Sequence, residues 1–327
     1  MSAYVAQGVF RNGHINSVLS GSPLRRLALK PAQQQLNHKV ERILIPAQHD
    51  IYLSALINRQ PHHAPTVMLL HGWLGCAHSL YLISLAQALH HAGYHVIRLN
   101  LRDHGDSQHL NKKLFHSCRI QEVINACIYC QDHFQSPLSL VGFSLGGNFA
   151  LRVNAYAERS QLELDKTIAY CPVIDPESTL LALENTVPIY KYYFMHRWRN
   201  EFRKKVLAFP DLYCLSTFDQ ATNLREATDN LATVYAGFNN LESYLNGYSI
   251  AGTRLQTLQS QAYTVLAKDD PIIPWQDKDK CHAHPKHHLL ISEYGGHCGF
   301  LDPNLDSQWI NQYTLTCLND KQETEKF

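Results

Sequence analysis

The chain has 327 residues, 45% of them hydrophobic and 17% charged, with 29 Lys plus Arg against 28 Asp plus Glu for a formal charge of +1. That balance lacks the basic excess needed to displace counterions, so nucleic acid is not an expected partner, and the apolar content excludes intrinsic disorder. No run approaches the ~20 apolar residues of a membrane span.

The start, MSAYVAQGVFRNGHINSV, has no basic stretch followed by an apolar one, which gives no sign of secretion. Nine Cys are spread from Cys76 to Cys317 without a dense framework. Reduced thiols in a cytoplasmic protein are the expectation. Cys127 and Cys130 have redox spacing but fall in the helical run RIQEVINACIYCQDHF, which makes them packed thiols.

Taken in chain order, short apolar runs predict strands at 40–45 and 51–57, an antiparallel hairpin around AQHD, and then at 66–70, 95–100, 138–143, 166–170, 262–267 and 287–291. Helical runs lie at 80–91, 120–134, 149–159 and 304–318. Alternation of this kind is the mark of a parallel sheet covered by helices. About ninety residues separate the strand ending near Cys171 from the one beginning at Ala262, where a single helix normally suffices. The pattern predicts an α/β fold with an eight-stranded, mostly parallel sheet and a helical cap inserted after strand 6. Its divisions are a core over 1–171, including an N-terminal arm, a cap over 172–256 and the rest of the core over 257–327. The last residues, 321–327, are charged and expected to fray.

Four segments carry chemistry. Gly142-Phe143-Ser144-Leu145-Gly146 is a G-x-S-x-G between a predicted strand and a predicted helix. A serine there stands on a sharp turn with its Oγ clear of the backbone, and the flanking glycines let strand and helix approach. His71-Gly72-Trp73-Leu74-Gly75 closes the third strand. Acyl transfer needs two preorganised N–H donors for a tetrahedral oxyanion, and the candidates are the backbone amides of Leu145 and Trp73. Lys268-Asp269-Asp270-Pro271 follows a late strand; Asp270 is the candidate acid, with Asp269 as the alternative and capping of the following turn as the competing role. Gly295-Gly296-His297-Cys298-Gly299-Phe300 follows the last strand and presents His297 as base. The order Ser144, Asp270, His297 is the hydrolase order of the triad.

With these motifs in place the chain resembles an α/β-hydrolase. Within that superfamily it resembles the YheT-like branch, which includes membrane-associated relatives thought to act on acyl lipids. The narrower resemblance rests on Arg11-Asn12-Gly13-His14, His71–Gly75, Lys268–Pro271 and Gly295–Phe300, and it spans nearly the whole length. One departure follows Phe115-His116-Ser117: the branch has a glycine and an acidic residue there, and this chain has Cys118 and Arg119. The resemblance implies a serine hydrolase of carboxylic esters with Ser144 as nucleophile, Asp270 as acid and His297 as base, and no cofactor.

Two further signals are weighed. The 20 His, densest at Cys281-His282-Ala283-His284-Pro285-Lys286-His287-His288, straddle a loop and a strand start, where alternate side chains diverge. No metal is expected there. Residues 190–205 mix Tyr190, Tyr192, Tyr193, Phe194, Trp198 and Phe202 with six basic side chains. The segment reads as a cap helix with an aromatic side toward the pocket, or as a peripheral contact with a lipid surface. The expected activity is therefore cleavage of apolar acyl esters. Acyl transfer by the same residues, and a non-catalytic binding role on the same scaffold, are the alternatives.

Overall fold

A computed structural model describes residues 3–320. The charged stretch 321–327, expected to fray, lies outside the described residues. Eight strands form one sheet: β1 (Val40–Gln48), β2 (Ile51–Asn58), β3 (Thr66–Leu70), β4 (His95–Leu99), β5 (Leu138–Phe143), β6 (Leu164–Tyr170), β7 (Gln261–Ala267) and β8 (His287–Ser292). Their order is β1-β2-β4-β3-β5-β6-β7-β8. The β1–β2 and β2–β4 pairs are antiparallel and every later pair is parallel. β3, β4 and β5 are buried along their whole length, as parallel strands sandwiched between helix layers must be.

One face of the sheet packs on α4 (Leu80–His91) and the C-terminal helix α12 (Gln308–Asn319), and the other on α5 (Ile120–Phe134) and α6 (Leu145–Tyr156). The α4 and α5 bounds agree with those read from periodicity. α6 does not: it begins at Leu145, four residues ahead of the expected start at 149. Gly146 and Gly147 are poor helix formers in isolation, but close packing demands glycine at position 146. A Cβ at Gly146 would collide with the carbonyl oxygens of Leu70 and His71, and one at Gly142 with the backbone of Gly146. α12 starts late for the opposite reason. The Asp302 carboxylate accepts from the Asn304 and Asp306 amides and holds those residues in a turn.

Between β6 and β7 come α7 (Pro176–Asn185), α8 (Pro188–Ala208), α9 (Ser216–Asp219), α10 (Leu224–Val234) and α11 (Leu241–Tyr248). They hold a small apolar cluster of their own around Phe202, Tyr213, Phe218 and Leu231. α8 sits on the loop after β3: Trp198 meets Trp73 edge-on, Phe194 stacks on it, and Arg197 donates to the Leu74 carbonyl at 2.6 Å. The buried Lys205 ammonium donates to Asp103 at 2.9 Å and to the Asn111 carbonyl, fastening α8 to the loop after β4.

The N-terminal arm folds as three short helices, α1 (Gly13–Ser20), α2 (Pro23–Ala28) and α3 (Lys30–His38). Asn12 caps α1 by accepting from the amides of His14 and Ile15. Asn16 is fully buried; its amide donates to the Phe10 carbonyl, and its oxygen accepts from the Leu301 amide at 3.2 Å. Gly13 lies so close to Asp269 that an added Cβ would overlap the Asp269 carbonyl oxygen. Gly13→Ala is therefore expected to cost about 1–3 kcal/mol of overpacking, read as a lower urea midpoint. Gly21→Ala, at a position open for 4 Å around with φ −107°, is the control that leaves the midpoint unchanged.

Candidate active site

β5 ends at Phe143 and α6 starts at Leu145, so Ser144 alone makes the turn. It does so with φ 53° and ψ −118°, a conformation that costs a non-glycine residue on the order of 1–3 kcal/mol. Its amide donates to the Tyr170 carbonyl at 2.8 Å, and its carbonyl accepts from the Asn148 amide as the first turn of α6. The hydroxyl is thereby held at the carboxyl edge of the sheet, where open α/β sheets bind ligands.

The loop after β3 passes directly beside it. A Cβ on Gly72 would lie 3.2 Å from the Ser144 Cβ, and the Gly72 amide donates to the Tyr81 hydroxyl at 3.0 Å. His71 is fully buried, with Nε2 accepting from the Leu101 amide at 3.1 Å and Nδ1 on the Gly72 carbonyl at 2.8 Å. Since Nε2 accepts, the proton is on Nδ1. Burial, helped by the neighbouring His104, pushes the ring down to about 3, so His71 is a neutral brace for the turn. Among the described residues, neither the Trp73 amide nor the Leu145 amide has an acceptor in the chain.

Asp270 and His297 meet. His297 Nδ1 lies 2.9 Å from Asp270 Oδ2, whose partner oxygen accepts from the amides of Ile272 and Ile273 at 2.8 and 3.0 Å. The carboxylate is therefore fixed on both sides. Its side chain is 1% exposed and that of His297 16%. Burial lowers the affinity of His297 for a proton, but the Asp270 charge and hydrogen bond, with Cys298 alongside, outweigh it and raise the ring to about 9. Asp269 is turned elsewhere and accepts from the Gly296 amide at 2.9 Å, so it shapes the histidine loop instead of touching the ring. The His297 amide donates to Ser17 Oγ at 2.7 Å, and Ser17 in turn donates to the Gly13 carbonyl.

The loop carrying His297 reaches the serine turn: the Cys298 thiol and the Ser144 amide both donate to the Tyr170 carbonyl. Among the described residues no hydrogen bond joins Ser144 Oγ to the imidazole in this conformation. Such bonds are often long before substrate binds and tighten with it.

A cavity of about 70 Å³ opens beside Trp73 under α8, lined chiefly by Leu114, Phe115, Trp198, Phe202 and Leu231. His116 borders it with Nδ1 buried and unpaired. The segment that departs from the branch pattern braces α11: Ser117 accepts from the Tyr244 hydroxyl, and Cys118 donates to the Tyr244 carbonyl. The histidine-rich segment is dispersed. His287 pairs with Thr264, His288 with Gln261, and His284 accepts from the Lys286 amide. Cys127 and Cys130 are buried on α5, with Cys127 against the Met68 sulfur. Ser17 and Gly13 are the positions that motif reasoning passed over. The Asn-Gly-His run flagged the segment but not its contact with the histidine loop. No helix among the described residues is long and apolar enough to cross a membrane.

Comparison with known proteins fits this geometry. The family model described as the alpha/beta hydrolase fold matches residues 65–303. The chain is 23% identical over 302 residues to YheT of Escherichia coli (strain K12), provisionally named an esterase, covering 90% of this chain and 86% of that one. It is 22% identical over 246 residues to the Mus musculus phospholipase ABHD3, covering 73% of this chain but only 59% of that protein's length. Among solved structures, the Pyrococcus furiosus esterase Pf2001 superposes with a TM-score of 0.57 at 14% identity, covering 87% and 95% of the two chains. The Bacillus subtilis carboxylesterase CesB gives 0.52 at 15% identity, covering 92% and 99%. With the family model matched from β3 to beyond the histidine loop, the chain belongs to the α/β-hydrolase family and within it is YheT-like.

Proposed function

We propose that the chain is a serine hydrolase that cleaves carboxylic esters of apolar acyl groups through an acyl-enzyme on Ser144. The observation that carries the reading is the 2.9 Å bond between Asp270 and His297, on a loop whose Cys298 thiol shares the Tyr170 carbonyl with the amide of the strained Ser144 turn. Asp270 accepts a hydrogen bond from Nδ1–H and leaves Nε2 as the base. His297 takes the Ser144 proton as Oγ attacks the ester carbonyl. The oxyanion accepts from the amides of Trp73 and Leu145, which have no other acceptor among the described residues. His297 then protonates the leaving alcohol and activates the water that releases the acid.

The cavity beside Trp73, whose amide is proposed to hold the oxyanion, supports an apolar acyl group, since Leu114, Phe115, Trp198, Phe202 and Leu231 stand on its wall. The helices over it act as the cap in this reading. A peripheral lipid contact draws support from Val187, Ile189 and Tyr192, which are exposed at the start of α8. Three of the six basic side chains add little to it, because Arg199, Lys204 and Lys205 are paired with Asp219, Asp106 and Asp103 inside the chain.

A fluorophosphonate probe with peptide mapping, followed by p-nitrophenyl esters of increasing chain length, tests the proposal. Labelling at Ser144 is expected, with kcat/KM rising from acetate toward longer acyl groups. A folded protein that the probe leaves unmodified at Ser144 would refute it.

A further inference from the structure

Two thiols behind the histidine loop have no part in the proposed chemistry. Cys171 follows β6 and Cys298 follows His297; both are buried, and both hold left-handed backbone, with φ 45° and 58°. The Cys171 thiol donates to the Gly296 carbonyl at 3.8 Å, and the Cys298 thiol to the Tyr170 carbonyl at 3.6 Å. These weak bonds run in opposite directions and fasten the loop to the end of β6. The two sulfurs and a ring nitrogen of His297 lie within 4.8 Å of one another, the one such group of three metal-ligating side chains among the described residues.

Two sulfurs and an imidazole nitrogen are the donor set of a thiophilic cation. Zn²⁺ takes sulfur at about 2.3 Å and nitrogen at about 2.0–2.1 Å in a tetrahedral shell, which places neighbouring ligand atoms roughly 3.5–4 Å apart. Closing the present spacing to that value asks for about an ångström of side-chain movement. The loop that must move is bounded by Gly295, Gly296 and Gly299. His297 keeps part of its side chain exposed, so an ion has an approach from the cleft, and water can fill the fourth position.

We propose that Cys171, Cys298 and His297 form an inhibitory site for a thiophilic divalent cation such as Zn²⁺ or Cd²⁺. Binding breaks the two S–H bonds and, below about pH 9, one N–H bond of the imidazolium, releases these protons to solvent and forms two metal–thiolate bonds and one metal–imidazole bond. The thiolates balance the cation's charge, and nothing is oxidised or reduced. Capture of Nε2 removes the lone pair that would take the Ser144 proton; capture of Nδ1 displaces Asp270. Either way turnover stops. The inhibitory consequence rests on the reading of His297 as base, whereas the binding itself does not.

The test titrates Cd²⁺ into the full-length protein carrying Cys214→Ser, which removes the exposed thiol, and into the same protein with Cys171→Ala or Cys298→Ala added. The parent is expected to release two thiol protons with the first ion, and a third from the imidazolium below about pH 9, and to gain the sulfur-to-metal charge-transfer absorption of two thiolates, which each alanine variant reduces. Ester turnover by the parent should fall by about a hundredfold at one equivalent and return with EDTA. Equal absorption in parent and variants overturns the site. Fewer than two protons released by the parent does so too, and this reading needs no folded variant. Absorption and proton count use no substrate, so a protein that turns over no ester refutes the esterase reading while the metal site is still decided.

Discussion

Ser144→Ala is expected to lower kcat on a p-nitrophenyl acyl ester by about 10⁵-fold or more, with KM little changed. The reason is that the hydroxyl is the only part of the residue the proposed chemistry uses. The amides of Trp73 and Leu145 and the bonded Asp270–His297 pair survive the substitution, so a residual catalysis of about 10³-fold over water is expected from positioning and oxyanion binding. Stability separates this loss from misfolding. Alanine inherits the φ of 53° at position 144 and with it the backbone strain, so Ser144→Ala should melt with the parent. Ser144→Gly removes the Cβ that makes this conformation costly and should be more stable by about 1 kcal/mol while equally inactive. An inactive glycine variant that is more stable than the parent identifies strain held for function. Turnover in Ser144→Ala at the parent rate removes Ser144 from the mechanism.

What could be read in advance follows from how local the cause is. β3, β4 and β5 are visible because strands covered on both faces become continuous apolar runs, and α4 and α5 because their apolar stripes keep one period to the end. The start of α6 is hidden because Gly146 answers to a collision with the end of β3 instead of to helix propensity. The helices of the N-terminal arm are too short to stand alone and depend on tertiary ties, such as Asn16 to Leu301. Ser17 is the sharpest case. Its hydroxyl supports the His297 amide across 280 residues of sequence, and no pattern within either segment encodes that. Sequence prefers Asp270 to Asp269 but does not separate their geometry; the Ile272 and Ile273 amides aim one carboxylate at the ring, and the Gly296 amide draws the other away. Cys171 and Cys298 become neighbours only because the loop that follows β8 reaches past β7 to the end of β6, where Cys298 donates to the Tyr170 carbonyl.

The second large effect is expected from Asp270→Asn, in both rate and pH dependence. The parent imidazole holds its proton up to about pH 9, and only the neutral ring can serve as base, so kcat/KM should climb with pH and level off above that value. Asparagine removes the charge that favours the imidazolium, so the acid limb should shift downward, toward the ordinary histidine range near 6.5. Asparagine can also present its amide to Nδ1 and favour the wrong tautomer, which puts the plateau loss at about 10⁴-fold. Linkage gives an independent check of the same pair. A histidine whose folded affinity for protons exceeds its unfolded one contributes stability that is full below about pH 6.5 and is lost as the pH rises through about 9. The advantage of the parent over Asp270→Asn in melting temperature should therefore shrink steadily across that window. Rate loss with an unmoved acid limb and a pH-independent difference in melting temperature would mean that Asp270 only shapes the turn at Pro271, and that His297 owes its proton to some other group.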